Sequence, residues 1–182
     1  MCWSYNRQHG TQFLAVMPTN PYGVGDNYHP EHSHVIPGLL RRAHEAKVQK
    51  AKELVIWGSG TPLREFMDSE DMAGACIHLM TLDASRSAPL FTDQMPPLVN
   101  IGTGHELSIA ELAKLVCEIV GFEGHLVFDR HKPDGVRRKL LNIERLSALG
   151  WHAQIDLKTG LTRAYQDFLT QLTSTAPTIV AP

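Results

Sequence analysis

The sequence predicts an α/β chain, and three observations carry that expectation. The apolar run Phe13-Leu14-Ala15-Val16-Met17 stops at Pro18 as a buried parallel strand stops at its carboxyl end, and Leu54-Val55-Ile56-Trp57 and Leu98-Val99-Asn100-Ile101 are further short apolar strands. Segments with apolar residues at helical spacing alternate with them. Beyond Pro18 the first run opens into a polar stretch holding Asn20, Pro21, Gly23, Gly25, Asp26, Asn27 and Pro30. Ligands in open α/β sheets sit outside the carboxyl ends of strands, so the stretch from Met17 to Arg42 is the leading site candidate. Loops of that length inside compact domains are functional or disordered, and its aromatic residues and histidines argue against disorder.

The 182 residues leave room for one domain with a sizeable core. A hydrophobic content of 43% and a charged content of 20% are ordinary for a globular protein. The net charge of −2 gives no bulk attraction to nucleic acid or to an anionic membrane. No apolar run approaches membrane-spanning length, and Met-Cys-Trp-Ser-Tyr-Asn-Arg does not open a signal peptide. Cys2, Cys76 and Cys117 are an odd, widely spaced set without a metal-ligand pattern, read as reduced cytoplasmic thiols; no metal is expected.

In chain order, residues 1–10 read as the end of a helix closed by Gly10. Beyond the loop, Val35, Ile36, Leu39, Leu40 and Ala43 mark a helix from Ser33 to about Gln49. Pro37 falls in its first turn, where a missing donor costs nothing, and Arg41 and Arg42 flank its apolar face. Leu54–Trp57 is a strand, Gly58–Pro62 a turn-rich loop and Arg64–Asp68 a second strand. Asp68 or Ser69 caps a helix from Glu70 to Leu82, with Met72, Cys76 and Leu79 inward. Residues 83–97, with little periodicity, read as a surface loop. The strand Leu98–Gly102 ends in Gly-Thr-Gly, and Ser108 with Glu111 forms a capping box for a helix whose Ile109, Leu112, Val116 and Ile119 face inward. His125–Phe128 is a strand, Asp129–Arg138 a basic loop, and Ile143–Leu149 a short helix ended by Gly150. Asp156 opens a last helix with Leu157, Leu161, Tyr165, Phe168, Leu169 and Leu172 on one stripe. Residues 173–182 are expected to be a disordered tail.

Four motifs follow in order: Pro18-Thr19-Asn20-Pro21-Tyr22-Gly23, Ser33-His34-Val35-Ile36-Pro37, the run from Trp57 to Phe66, and Pro133-Asp134-Gly135-Val136-Arg137-Arg138-Lys139. With them, over residues 1–172, the chain resembles the GDP-L-fucose synthase family, NADPH-dependent epimerase/reductases acting on GDP-4-keto-6-deoxy-D-mannose. That family belongs to the extended short-chain dehydrogenases of the NAD-dependent epimerase/dehydratase type. The first motif alone points only to the wider family, and the second and third narrow it.

The resemblance implies the carboxyl-terminal part of a Rossmann-type NAD(P)-binding fold plus a smaller α/β substrate-binding lobe, over residues 1–172. It implies NADP(H) as cofactor, a GDP-sugar as substrate, a cytoplasmic location and a homodimer in the complete enzyme. The reaction implied is epimerisation at C3 and C5 of the ketosugar, then hydride delivery to C4. The 182 residues contain neither the family's glycine-rich dinucleotide loop nor its Tyr-x-x-x-Lys pair, so this chain alone is expected to be inactive. The alternatives are another nucleotide-sugar epimerase or dehydratase, or a non-catalytic fragment that binds nucleotide sugar.

By spacing alone a lone histidine such as His34 is more often a structural hydrogen-bonder than a catalyst. The resemblance makes it the general acid of epimerisation, a group that must deliver a proton to an enolate carbon. Pro18, Thr19, Asn20 and Pro21, with His34, are the implied cofactor-binding residues; Asn20 is otherwise a common turn asparagine. The implied substrate-binding residues are Arg42, Trp57, Arg64, Asp134 and Lys139. Guanidinium groups bind diphosphate oxygens in a bidentate way, although surface solvation is an arginine's usual fate. Trp57 stacks on a sugar or base under the resemblance, whereas spacing alone favours core. Asp134 is the implied acceptor for a guanine N–H edge and Lys139 a further phosphate cation. His32 and His125 depart from the family pattern, which has asparagine and arginine at these places.

Overall fold

The structure, a computed structural model, describes residues 1–174. Its elements in order are α1 (Cys2–His9), β1 (Ala15–Pro18), β2 (Asn20–Tyr22), α2 (Val35–Val48), β3 (Glu53–Trp57), β4 (Leu63–Arg64), β5 (Phe66–Asp68), α3 (Ser69–Met80), α4 (Ala84–Ser87), β6 (Leu98–Ile101), β7 (Leu107–Ser108), α5 (Ile109–Val120), β8 (His125–Asp129), β9 (Arg138–Lys139), α6 (Glu144–Ala148) and α7 (Leu157–Ser174). The α/β expectation is met, with parallel pairing of β1 with β6, β3 with β8 and β4 with β9. Helix α7 continues through Thr173 and Ser174, where a disordered tail was expected to begin. The rest of that tail, residues 175–182, lies outside the described residues. The chain divides into two compact units.

The first unit comprises residues 1–21, 63–106 and 138–155. Here β1 and β6 run in register from Ala15 opposite Leu98 to Pro18 opposite Ile101. One face of this pair packs into a core: Val99 and Ile101, with Leu14 and Val16 beside them, meet Met67, Ala75, Leu79, Leu90, Leu146 and Leu149. The other face stays open, with Phe13 51% and Met17 50% exposed and Leu98 exposed beside them. Parallel strands ordinarily read as apolar throughout because both faces are covered; within this unit only one is. Residues 83–97 are not simply a surface loop. Asp83 accepts the Arg86 N–H at 2.9 Å and opens α4, and the 3-10 turn that follows, Ala88–Leu90, sets Leu90 into the core. Four-residue helices are too short to leave a periodicity in sequence.

The second unit comprises residues 22–62, 107–137 and 156 onward. Strands β3 and β8 pair from Glu53 opposite His125 to Trp57 opposite Asp129. Leu54 and Ile56 turn inward, while Val55 and Trp57 face out. Helices α2, α5 and α7 contact one another and α2 packs on β3, burying Leu39, Leu40, Ala43, Leu112, Val116, Leu161 and Phe168. The capping box of α5 forms as expected, with Ser108 and Glu111 each satisfying the other's backbone N–H. Its inward stripe runs through Val120 and Cys117 and leaves Ile119 half-buried, and Val35 and Leu172 are exposed rather than core. The polar loop is pinned. Tyr28 is buried, its hydroxyl donates to the Ala164 carbonyl at 2.7 Å, and burial, then the Asp167 carboxylate, raise its pKa. Asp167 accepts the Gly25 N–H, and Arg41 donates to the Tyr28 carbonyl.

Candidate functional site

In the first unit the strand end from Pro18 to Pro21 is organised by a residue that sequence reasoning passed over. The expected single strand over residues 64–68 is two short ones, β4 and β5, broken at Glu65. Glu65 is fully buried. Its Oε1 accepts the backbone N–H groups of Thr103 at 2.6 Å and Gly104 at 2.8 Å, and its Oε2 accepts that of Leu141 at 3.1 Å. Its carbonyl accepts the Thr19 hydroxyl at 3.1 Å and the Asn20 side-chain amide at 2.7 Å. With Nδ2 so held, the Asn20 oxygen accepts from Lys139 Nζ at 3.2 Å. Asn20 and Lys139, expected for cofactor and substrate respectively, are thus brought together. Arg138, beside Lys139, is occupied by Glu106 through paired contacts at 2.9 Å.

The Gly102-Thr103-Gly104 turn is shaped for this carboxylate. A Cβ on Gly102 would lie 2.4 Å from Glu65 Oε1, and Gly104 has φ +77°, a backbone that disfavours side chains. Successive N–H groups converging on one oxygen make an anion-binding concavity, the kind that elsewhere holds phosphate. Here the anion is internal. The turn therefore offers nothing to a dinucleotide pyrophosphate; the residues expected for NADP(H) are Pro18 to Pro21 in this unit and His34 in the other. Arg64, half-buried, donates to the Leu63 carbonyl at 2.7 Å through Nη1.

In the second unit His34 is the N-cap residue of α2, with extended backbone at ψ 175°. Its carbonyl accepts the Gly38 N–H at 3.0 Å, while its exposed imidazole makes no bond to the helix end. The backbone of His34 is thus fixed by the helix while its ring stays exposed. Arg42 turns away from its expected ligand role: Nε donates to the Gly38 carbonyl at 3.3 Å and Nη1 to the Val55 carbonyl at 3.1 Å. Burial lowers its pKa. As a tie between α2 and β3 it has fewer donors left for a diphosphate than expected.

Trp57 departs from the core placement that spacing favours. It is 67% exposed, with Lys132 Nζ 5.3 Å from the ring centroid. Asp134 is anchored to the turn that follows β3: Oδ1 accepts the Ser59 N–H at 2.8 Å and Oδ2 the Ser59 hydroxyl at 2.6 Å. Those bonds, the hydroxyl's first, hold its pKa below the ordinary aspartate range. Gly58 at φ +83° is the residue this needs, because a Cβ there would lie 2.3 Å from Asp134 Oδ1. Carboxylate oxygens carry two lone pairs each, so acceptor capacity remains for a ligand N–H edge.

Among the described residues no cluster of three or more histidine, cysteine or acidic side chains forms a metal site, and all three cysteines are free thiols. No helix there is long and apolar enough to cross a membrane. The model of the NAD dependent epimerase/dehydratase family matches residues 1–102. Among curated relatives, the GDP-L-fucose synthase of Escherichia coli is 50% identical over 172 residues, which is 93% of this chain and 52% of the relative. The chain thus spans about half the length of the curated relatives it matches. Among solved structures, a GDP-6-OMe-4-keto-L-xylo-heptose reductase from C. jejuni matches with TM-score 0.81 at 33% identity, covering 94% of this chain and 57% of that one. A GDP-L-fucose synthetase from Naegleria fowleri bound to NADP matches with TM-score 0.77 at 28% identity, covering 94% and 51%.

Proposed function

Because the chain belongs to the NAD dependent epimerase/dehydratase family, we propose that it is the GDP-sugar-binding part of an enzyme that makes GDP-L-fucose. The reaction is 3,5-epimerisation of GDP-4-keto-6-deoxy-D-mannose followed by NADPH-dependent reduction at C4. The observation that carries this reading is the 50% identity to a GDP-L-fucose synthase over 93% of the chain, with all four motifs inside the shared span. The geometry supports it at separate points. The exposed His34 imidazole at the head of α2 serves as the acid that protonates the ring carbon. Trp57 offers an exposed aromatic ring to base or sugar, displacing the Lys132 ammonium from it, and Asp134 a carboxylate to the guanine edge. Arg64 and Lys139 supply cations for the diphosphate, with Arg42 contributing through its remaining donors. Asn20 and its neighbours from Pro18 to Pro21 form the strand end that meets the nicotinamide ribose, and NADPH when bound supplies the hydride for C4. A cytoplasmic location and a homodimer in the complete enzyme belong to the same proposal.

The test joins residues 1–182 behind the amino-terminal half of the E. coli relative and follows NADPH oxidation with the ketosugar. Conversion to GDP-L-fucose is the expected result. A chimera that folds and binds NADPH but turns over only a different nucleotide sugar refutes the assignment. Residues 1–182 alone, which lack the glycine-rich loop and the Tyr-x-x-x-Lys pair, are expected to show no NADPH oxidation in the same assay.

A further inference from the structure

The buried Glu65 carboxylate is the largest investment of polar groups in the first unit, and none of the assigned roles uses it. Its two oxygens gather backbone N–H groups from two separate segments, the turn at 103–104 and residue 141, two positions beyond Lys139. Its own carbonyl holds Thr19 and Asn20. A carboxyl group placed in full burial is costly unless several donors meet it, and three backbone donors do. We propose that Glu65 is a positioning residue: an internal anion that fills the Gly102–Gly104 nest and thereby fixes the Asn20–Lys139 pair where cofactor ribose and substrate phosphate meet. The pair's place in the reaction rests on the function proposed above; the positioning itself does not.

The geometry explains why a carboxylate, and not merely a polar residue, stands at this position. Both of its oxygens must accept. A glutamine would keep one acceptor for Thr103 and Gly104 but turn an N–H toward the Leu141 N–H, donor against donor. The strand that carries Lys139 would then shift while the 103–104 turn stayed in place. An alanine would empty the nest and leave three backbone donors without their carboxylate acceptor.

The experiment uses the 182-residue chain and a ligand-free readout, the Asn20 side-chain amide signals in heteronuclear NMR, assigned by their loss in Asn20→Asp. In the unsubstituted chain these signals, and the backbone amides of Thr103, Gly104 and Leu141, are protected from solvent exchange. In Glu65→Ala the Asn20 amide exchanges about tenfold faster or more, as expected for a locally opened site. Millimolar formate or acetate restores protection and melting temperature together, with saturation, whereas chloride at equal ionic strength or acetamide does not. Should Glu65→Ala not fold without added carboxylate, Glu65→Gln supplies the reading. It retains the fold and protection at Thr103 and Gly104, loses protection at Leu141 and Asn20, and gains nothing from acetate. Rescue by chloride or acetamide as effective as by acetate overturns the proposal, as does unchanged Asn20 protection in a folded Glu65→Gln chain. So does free exchange of the Leu141 and Gly104 amides in the unsubstituted chain. Failure to bind GDP leaves all of these signals readable and bears on the proposed function instead.

Discussion

Trp57→Ala separates a ligand platform from a packing residue, because the two roles predict opposite balances of binding and stability. The side chain is 67% exposed. Of the 150–250 Å² that an aromatic of this size can bury, about a third, or roughly 80 Å² at most, is covered in the fold. At ~25 cal/mol per Å² that sets the loss of stability at about 2 kcal/mol as an upper bound. The free area is larger and faces solvent. A base stacked on it is worth about 1–3 kcal/mol, less about 0.5–1 kcal/mol for the Lys132 cation–π contact it displaces. At the midpoints the net of about 1.2 kcal/mol raises the Kd for GDP roughly 8-fold. The assay is an NMR titration of the 182-residue chain with GDP, reading the indole N–H signals, which also measures affinities in the millimolar range. The Trp57 indole should move on titration, and Trp57→Ala should weaken GDP binding by the stated factor with a loss of stability no greater than about 2 kcal/mol. A stationary Trp57 signal at GDP saturation, or a Kd within about twofold of the unsubstituted chain, refutes the platform.

Three further outcomes are expected. In the chimera, His34→Asn stops deuterium incorporation from solvent at C3 and C5 while GDP-sugar affinity stays within about threefold; continued incorporation at the normal rate removes His34 from the acid role. Asp71 is buried and accepts the backbone N–H groups of Gln154 at 3.0 Å and Ile155 at 2.8 Å, so Asp71→Ala should cost about 3–5 kcal/mol in urea unfolding, and a loss under about 1 kcal/mol contradicts the burial argument. His44 bonds the Tyr165 hydroxyl at 2.9 Å, and burial, then Lys47, lower its pKa against a smaller opposing pull from Glu45. A lowered histidine pKa means that the unfolded chain binds the proton more readily. Its stabilisation is therefore complete above the ordinary histidine value and declines as pH falls through the folded one. Melting should weaken from about pH 6.5 downward, and His44→Phe should flatten that slope; an unchanged slope assigns the acid sensitivity to another group.

The elements were legible because each is written locally. Gly10 closing α1, the Ser108–Glu111 capping box and Gly150 after α6 depend on residues a few positions apart, and each appears in the structure as read. Trp57 was misjudged for a definite reason. Leu54-Val55-Ile56-Trp57 is apolar at every position, so the run hides the alternation that leaves Val55 and Trp57 outside. Arg42 carries no mark in sequence of whether it reaches for ligand or for the Gly38 and Val55 carbonyls. Glu65 left two faint signals: a charge among the apolar residues of a strand, and a Gly-Thr-Gly following another strand. Their conjunction is a contact between residues 38 positions apart, and one sequence carries no trace of it. The buried Leu90 was lost for a different reason, since a four-residue helix followed by a three-residue 3-10 turn has no period to detect.

The uncovered side of the β1–β6 pair governs how the chain behaves as a material. Phe13, Met17 and Leu98 present a greasy strip to water, and its cost rises with concentration because a second such strip is the simplest shelter for the first. Association through this strip is the expected outcome as concentration rises. The inward residues Leu14, Val16, Val99 and Ile101 carry the fold, so polar replacements confined to the outward positions leave the core untouched while changing the concentration at which solutions turn cloudy.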